Sequence, residues 1–269
     1  MTVVSSLVRG GVALRVDDVG GAGLPVIFQH GLCGDAKQAA EVFPQDARFR
    51  RITLECRGHG ASEAGGAAFS IASFADDLAA LIESYREAPL VVGGVSMGAA
   101  ISLRLAVRRP DFVRGLILAR PAWVTHAAPA NMAPNAEVGR LLAAMAPEKA
   151  RATFLAGKTA KMLAEQAPAN LASLDALFAR TPISTTAALL VAIAEDGPGV
   201  SENELRALTA PTLIIGHERD VIHPFTHAQA LAGLIPEARL VAITPKADDK
   251  RRHAADFQAA VAEFLHDFL

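Results

Sequence analysis

Cysteine is nearly missing from this sequence: Cys33 and Cys56 are the two in 269 residues. That is too few for a disulfide framework, and the pair reads as reduced thiols, although a single bridge is possible on paper. Long apolar runs are missing too. No stretch of about 18 uninterrupted apolar residues is present, and Met1 to Val8 lacks a basic region followed by an apolar core, so the expectation is a soluble, cytoplasmic protein that is not exported. Neither sign of charge dominates, with 26 Lys and Arg against 28 Asp and Glu and a net charge of −2. Lys250-Arg251-Arg252 is the longest basic run, which leaves no electrostatic case for a nucleic-acid or membrane partner. No G-x-G-x-x-G follows a strand and no G-x-x-x-x-G-K-[ST] occurs, so no nucleotide cofactor is implied.

What the chain does have is apolar bulk, 51% of its residues. That is enough to fill one large α/β domain, or one domain with an inserted segment. One stretch organises the rest. From Val91 to Ala100, an apolar β-branched run passes through Gly94-x-Ser96-x-Gly98 into the helix-prone residues Ala99 to Ala106. This is the strand, sharp turn and helix of a nucleophile elbow. A serine on so tight a turn is held in strained backbone geometry, and a Cβ at either flanking glycine would crowd the neighbouring strand or helix. G-x-S-x-G alone is a cheap pattern in a Gly-rich chain; its context makes Ser96 the candidate nucleophile.

Taken in order, residues Val3 to Val16 alternate around Gly10-Gly11 and predict a hairpin, followed by the strand Pro25 to Gln29. A second strand, Arg51 to Glu55, ends at Cys56-Arg57-Gly58-His59-Gly60-Ala61-Ser62. Ser73-x-x-Asp76 has the form of a capping box, with Phe74, Leu78, Leu81, Ile82 and Tyr85 following at helical spacing. Pro110 stops the elbow helix, and Gly115 to Ala119 is the next strand. Strand and helix alternate to this point as in a doubly wound, mostly parallel sheet. From Pro121 to about Thr209 the segment is rich in Ala, Leu, Met and Pro with helical periodicity and no evident strand. The expected organisation is therefore a core of residues 1–120 and 210–269 with a helical cap at 121–209. The sheet resumes at Pro211 to Gly216 and Arg239 to Thr244, separated by a helix around Thr226 to Leu234. The last helix carries Phe257, Val261, Phe264, Leu265 and Phe268 on one face.

Five features in order resemble the α/β-hydrolase fold. His30-Gly31-Leu32 is similar to that family's oxyanion loop, Arg57-Gly58-His59-Gly60-x-Ser62 to its structural loop and Gly94-x-Ser96-x-Gly98 to its elbow. Gly216 to Pro224, with Asp220 after a strand and Pro224 closing the turn, resembles its acid loop; the fifth feature is the order of nucleophile, acid and late histidine. The resemblance implies a mostly parallel α/β sheet with an inserted cap, and a triad of Ser96, Asp220 and a histidine. Serine needs an imidazole to take its proton, and the imidazole needs a carboxylate to orient it. Asp220 is preferred as the acid over neighbouring Glu218. Backbone N–H groups of Leu32 and Met97 are the expected oxyanion-hole pair. His30 and Gly31 in the oxyanion loop and Trp123 in the cap are taken as substrate-facing, with His30 and His59 also expected to hydrogen-bond within their loops.

The sequence departs from the family pattern in two places. Glu55 stands where an Asp usually precedes Arg-Gly-His-Gly, a residue with a mainly structural role. The Gly-His that usually follows the last strand is also missing, its place falling near Ala247 or Asp248. His253 is the nearest histidine; at i−4 to Phe257 it lies on the core-facing side of the final helix, so it is named as the base. The plainer account of His253 is a histidine satisfied in a helix's first turn. His217, His223 and His227 cluster around Asp220. His223 and His227 have an i,i+4 spacing used by metal ligands, but Pro224 lies between them and no carboxylate pair is arranged beside them, so no metal is expected. No organic cofactor is expected either.

Apolar cap residues such as Trp123, Met132 and Leu141, and the lack of an evident Arg clamp, predict a mostly apolar, neutral lining and favour a small to medium, neutral and largely apolar acyl compound. The leading expectation is a serine hydrolase of a carboxylic ester or lactone acting through an acyl-enzyme. The same triad also suits cleavage of a C–C bond beside a carbonyl, or peracid formation as in cofactor-free haloperoxidase-like members. A ligand-binding protein on the hydrolase scaffold is the non-enzymatic alternative.

Overall fold

The computed structural model describes residues 3–66, 68–85 and 87–269. Its eight strands are β1 (Val3–Arg9), β2 (Val12–Asp18), β3 (Leu24–Gln29), β4 (Phe49–Leu54), β5 (Leu90–Val95), β6 (Val113–Ala119), β7 (Thr212–Gly216) and β8 (Ala238–Ala242). They form one sheet in the order β1-β2-β4-β3-β5-β6-β7-β8. β1 with β2 and β2 with β4 run antiparallel, and every later pairing is parallel. The mostly parallel sheet expected from strand–helix alternation is therefore present, with the hairpin at one edge.

Side chains alternate across the central strands. Val26, Phe28 and Val91 face a core shared with Phe43, Phe257 and Val261, whereas Ile27 and Val92 face the other core with Phe74, Leu78 and Ile101. Burial on both faces is what a parallel strand with helices above and below requires, and it explains why β3 and β5 read as continuous apolar runs. Truncating Phe28, which is fully buried, would cost roughly 3–5 kcal/mol in lost transfer and cavity formation.

The helices of the core are α1 (Ala36–Val42), α2 (Ile71–Ser84), α3 (Met97–Arg108), α10 (Phe225–Leu234) and α11 (Lys250–His266). α2 begins three residues, most of a turn, before the expected box. Ser70 is its N-cap in extended geometry, accepting from the Ser73 N–H while Ser73 Oγ reaches back to the Ser70 N–H. Asp76 lies inside the helix, exposed, and Asp77 beside it pairs with Arg57.

Between β6 and β7 the chain forms six α-helices: α4 (Ala133–Ala144), α5 (Pro147–Ala156), α6 (Lys158–Gln166), α7 (Pro168–Ala176), α8 (Ile183–Ala194) and α9 (Glu202–Arg206). This helical segment is fastened to the loops at the ends of the strands. Arg180 donates to the carbonyls of Cys33 and Gly58, and Asp196 accepts from the Ile71 N–H at the start of α2 and from Trp123 Nε1. No described helix is long and apolar enough to cross a membrane.

Candidate active site

Ser96 joins β5 to α3 with φ +56° and ψ −111°, a region that L-residues rarely occupy. The strain is held by packing. A Cβ on Gly94 would stand 2.6 Å from the Gln29 carbonyl oxygen and 2.8 Å from Gly98 C, and one on Gly98 would meet the carbonyl oxygens of Gln29 at 2.5 Å and His30 at 2.8 Å. Both glycines are thus required by close approach to β3 and the turn after it. Ser96 N–H donates to the Ala119 carbonyl on β6, which fixes the turn from the other side.

The hydroxyl of Ser96 lies 2.9 Å from Nε2 of His223. Nδ1 of the same ring lies 3.0 Å from each carboxylate oxygen of Asp220. These two residues leave the end of β7 on one turn. The His223 N–H donates back to Asp220 Oδ1, and Pro224 then starts α10, so the backbone itself folds the imidazole onto its own carboxylate.

Asp220, with its side chain 1% exposed, is the centre of a dense set of donors. Arg120 Nε and Nη2 reach Oδ2 at 3.0 and 2.6 Å, and Asn170 Nδ2 reaches Oδ1 at 2.9 Å. Burial by itself would raise the carboxyl, but His223, Arg120 and these hydrogen bonds outweigh it and hold Asp220 well below the usual carboxylate range. His223 is shifted down from the ordinary histidine value, first by burial and also by Arg120, with Asp220 opposing. Arg120 Nη2 is also 3.0 Å from His223 Nδ1. Nδ1 carries the ring's proton in the arrangement that puts N–H rather than a lone pair against the two carboxylate oxygens, which leaves Nε2 as acceptor toward Ser96.

The structure brings Ser96 and Asp220 together through His223 and not through His253, the histidine expected there. His253, in the first turn of α11, turns to the core side as the spacing implied. Its Nδ1 donates to the Thr244 carbonyl at 2.9 Å, and its ring packs edge-on to His217 and against Phe257. It bonds neither Ser96 nor Asp220. Burial drops it to about 4, so it is a neutral, satisfied helix residue.

A cavity of about 210 Å³ opens over Ser96 and His223, lined by Gly31, Leu32 and Cys33 from the turn after β3 and by cap residues including Met132, Leu174 and Leu177. Gly31 therefore faces the cavity as expected. Among the described residues the N–H groups of Leu32 and Met97 donate to no protein acceptor, and Met97 is the first residue of α3. His30 and Trp123 do not line the cavity. His30 is fully buried, accepting from the Cys56 N–H at Nε2 and donating from Nδ1 to the Gly31 carbonyl, and Trp123 is held inward by its bond to the Asp196 carbonyl. Glu55 accepts from the N–H groups of Ala36 and Ala61, a loop-bracing position. Cys33 and Cys56 are free thiols, both raised by burial. His227 Nδ1 goes to the Ala122 carbonyl, so the ring nitrogens of His223 and His227 serve separate partners; no group of metal-binding side chains occurs among the described residues.

Three site residues escaped sequence reasoning. Arg120 stands at the end of β6, and Asn170, on α7, accepts from the N–H groups of Val221 and Ile222 while donating to Asp220. The third is Lys246, which with Arg120 gives the cavity a cationic side in place of the neutral lining expected. Nothing local marks these three. His223 did carry a signal, an Asp-x-x-His-Pro turn in a chain without the usual late Gly-His.

A family model described as alpha/beta hydrolase fold matches residues 25–247. The chain belongs to the alpha/beta hydrolase fold family. Among curated relatives, this hydrolase-fold chain is 28% identical to the sn-1-specific diacylglycerol lipase ABHD11 of Mus musculus, over 91% of this chain and 82% of the relative. Among solved structures it is similar to a thermophilic esterase from Thermogutta terrifontis, with TM-score 0.75, 23% identity and coverage of 99% and 98% of the two chains. It is also similar to the enol-lactonase from Burkholderia xenovorans LB400, with TM-score 0.70, 24% identity and coverage of 97% and 100%. These two structures share the fold with this chain.

Proposed function

We propose that this alpha/beta hydrolase is a serine hydrolase that cleaves a carboxylic ester or lactone through an acyl-enzyme. The observation that carries the reading is the unbroken contact Asp220–His223–Ser96, with 3.0 and 2.9 Å between successive partners. Ser96 Oγ attacks the carbonyl carbon as His223 Nε2 takes its proton. The imidazolium that forms is stabilised by Asp220, which stays ionised. The carbonyl oxygen becomes negative and is met by the N–H groups of Leu32 and Met97, a donor pair of which each member is worth about 3 kcal/mol in such a transition state. The tetrahedral intermediate collapses, His223 returns the proton to the departing alkoxide, and an acyl group remains on Ser96. Water then attacks the acyl carbon with His223 again as base. The second intermediate expels Ser96, which recovers its proton, and the carboxylic acid leaves.

A fluorophosphonate probe and p-nitrophenyl acetate test this reading. Labelling should map to Ser96, and turnover should vanish in Ser96→Ala and His223→Ala. An unlabelled Ser96 in the wild-type protein would overturn it.

A further inference from the structure

Lys246 lies in the connection between β8 and α11, half-buried, and lines the same cavity as Ser96 and His223. Among the described residues its ammonium makes no ion pair and no hydrogen bond; Glu41 and Asp220 act on it only through longer-range charge, and they and the other acids of the adjoining segments have other partners. Asp220 is bound by Arg120, Asp248 pairs with Arg219, Glu41 pairs with Lys250, and Asp249 caps α11 by accepting from the N–H groups of Arg251 and Arg252. Gln38 lines the cavity beside it. Its Oε1 is taken by the Gly31 N–H, so its amide N–H₂ is left to donate. A half-buried ammonium with no direct ion-pair partner is partly desolvated without a bond in return, and an anion entering the cavity supplies that charge-assisted bond.

We propose that Lys246 is the recognition group for a carboxylate carried by the substrate, so that the ester or lactone this enzyme takes is anionic, with an apolar middle lying along Met132, Leu174 and Leu177. This rests on the serine-hydrolase reading for its chemistry, but the anion site itself is a property of the cavity. Arg120 shares the cavity wall, but its Nε and Nη2 are spent on Asp220, so Lys246 is the cation there that pairs with no side chain. Lys250, four residues on and paired with Glu41, does not line this cavity and supplies a control of equal charge.

The test compares esters matched in length with and without a carboxylate. The mono-p-nitrophenyl ester of adipic acid, too long for its carboxylate to close a five-membered anhydride, against p-nitrophenyl hexanoate puts the carboxylate in the acyl part; 4-butyryloxybenzoate against 4-butyryloxybenzamide puts it in the leaving group. In the wild-type protein one of the anionic esters should be preferred in kcat/KM. That preference should fall about tenfold or more in Lys246→Met, chiefly through KM, return in Lys246→Arg, and persist in Lys250→Met. A preference that survives Lys246→Met, or no preference in either pair, overturns the proposal. Calorimetric titration with adipate and with 4-hydroxybenzoate separates this from the hydrolase reading. If no ester is turned over but one of these anions binds wild type and not Lys246→Met, the chemistry fails and the anion site stands. If neither binds wild type, or Lys246→Met binds equally well, the anion site fails.

Discussion

Nδ1 of His223 lies 3.0 Å from both oxygens of Asp220, the residue three positions before it in the same turn. The carboxylate and the imidazole are therefore held by one stretch of backbone, whereas His253, far along the chain in α11, hydrogen-bonds to neither.

The first consequence is a division between two histidines. His223→Ala should lower kcat/KM for an activated ester by about 10⁴ to 10⁶-fold, as should Ser96→Ala, since members of such a unit fail together. His253→Asn, whose amide N–H₂ replaces the donor to the Thr244 carbonyl, should keep turnover close to wild type. Steady-state kinetics on the three variants checks this; a collapse in His253→Asn with His223→Ala active would reverse the assignment.

A second prediction concerns pH. His223 must be neutral to accept the Ser96 proton, and burial places its pKa below the ordinary histidine value. The acid limb of kcat/KM should then fall below about 6.5. Arg120 contributes to that lowering, so Arg120→Gln should move the limb to higher pH. Measured profiles for the two proteins decide it, and a limb that stays fixed or moves down in Arg120→Gln contradicts the charge relationship.

Asn170 ties the cap to the chemistry. Removing its side chain strips partners from Asp220 and from the N–H groups of Val221 and Ile222. Asn170→Ala should cost roughly 1–3 kcal/mol for buried groups left unpaired and should lower kcat by loosening Asp220. Asn170→Asp should be worse in kcat, because it sets a second carboxylate against the first. Thermal unfolding together with kcat measures both effects.

Stability should also depend on pH through His253. Its pKa in the folded chain is about 4 against an ordinary 6.5, so the unfolded chain binds more protons between those values. The contribution of the neutral ring is present in full above pH 6.5 and is lost as pH falls toward 4. Denaturant midpoints across that window should drop with acid in the wild-type chain and drop less in His253→Asn.

Much of this was legible in the sequence because its causes are local. The elbow is forced by Gly94 and Gly98 against β3, and a steric requirement of that kind leaves its mark on neighbouring residues. The strands showed as β-branched runs because both faces of the sheet are covered. The box expected at Ser73 falls three residues late because Ser70 and Ser73 both suit capping chemistry, and only the extended backbone at Ser70 chooses between them. His253 was placed correctly on the buried side of α11, but helical spacing says which face is buried and not what lies beneath it. Arg120, Asn170 and Lys246 come from a strand end, the cap and a loop, and their convergence on one cavity exists only in three dimensions.

The turn after β7 supplies both the carboxylate and the imidazole that reach Ser96, and the connection from β8 to α11 supplies no hydrogen bond to either. A segment that would otherwise have to keep one imbalance-sensitive ring in place is free to change length and charge, and here it presents Lys246 to the cavity. If bond cleavage rests on Ser96, Asp220 and His223 and substrate choice on Lys246, the two reside on separate loops, and exchanging the residues between Thr244 and Asp249 should retarget the protein while those three stay as they are.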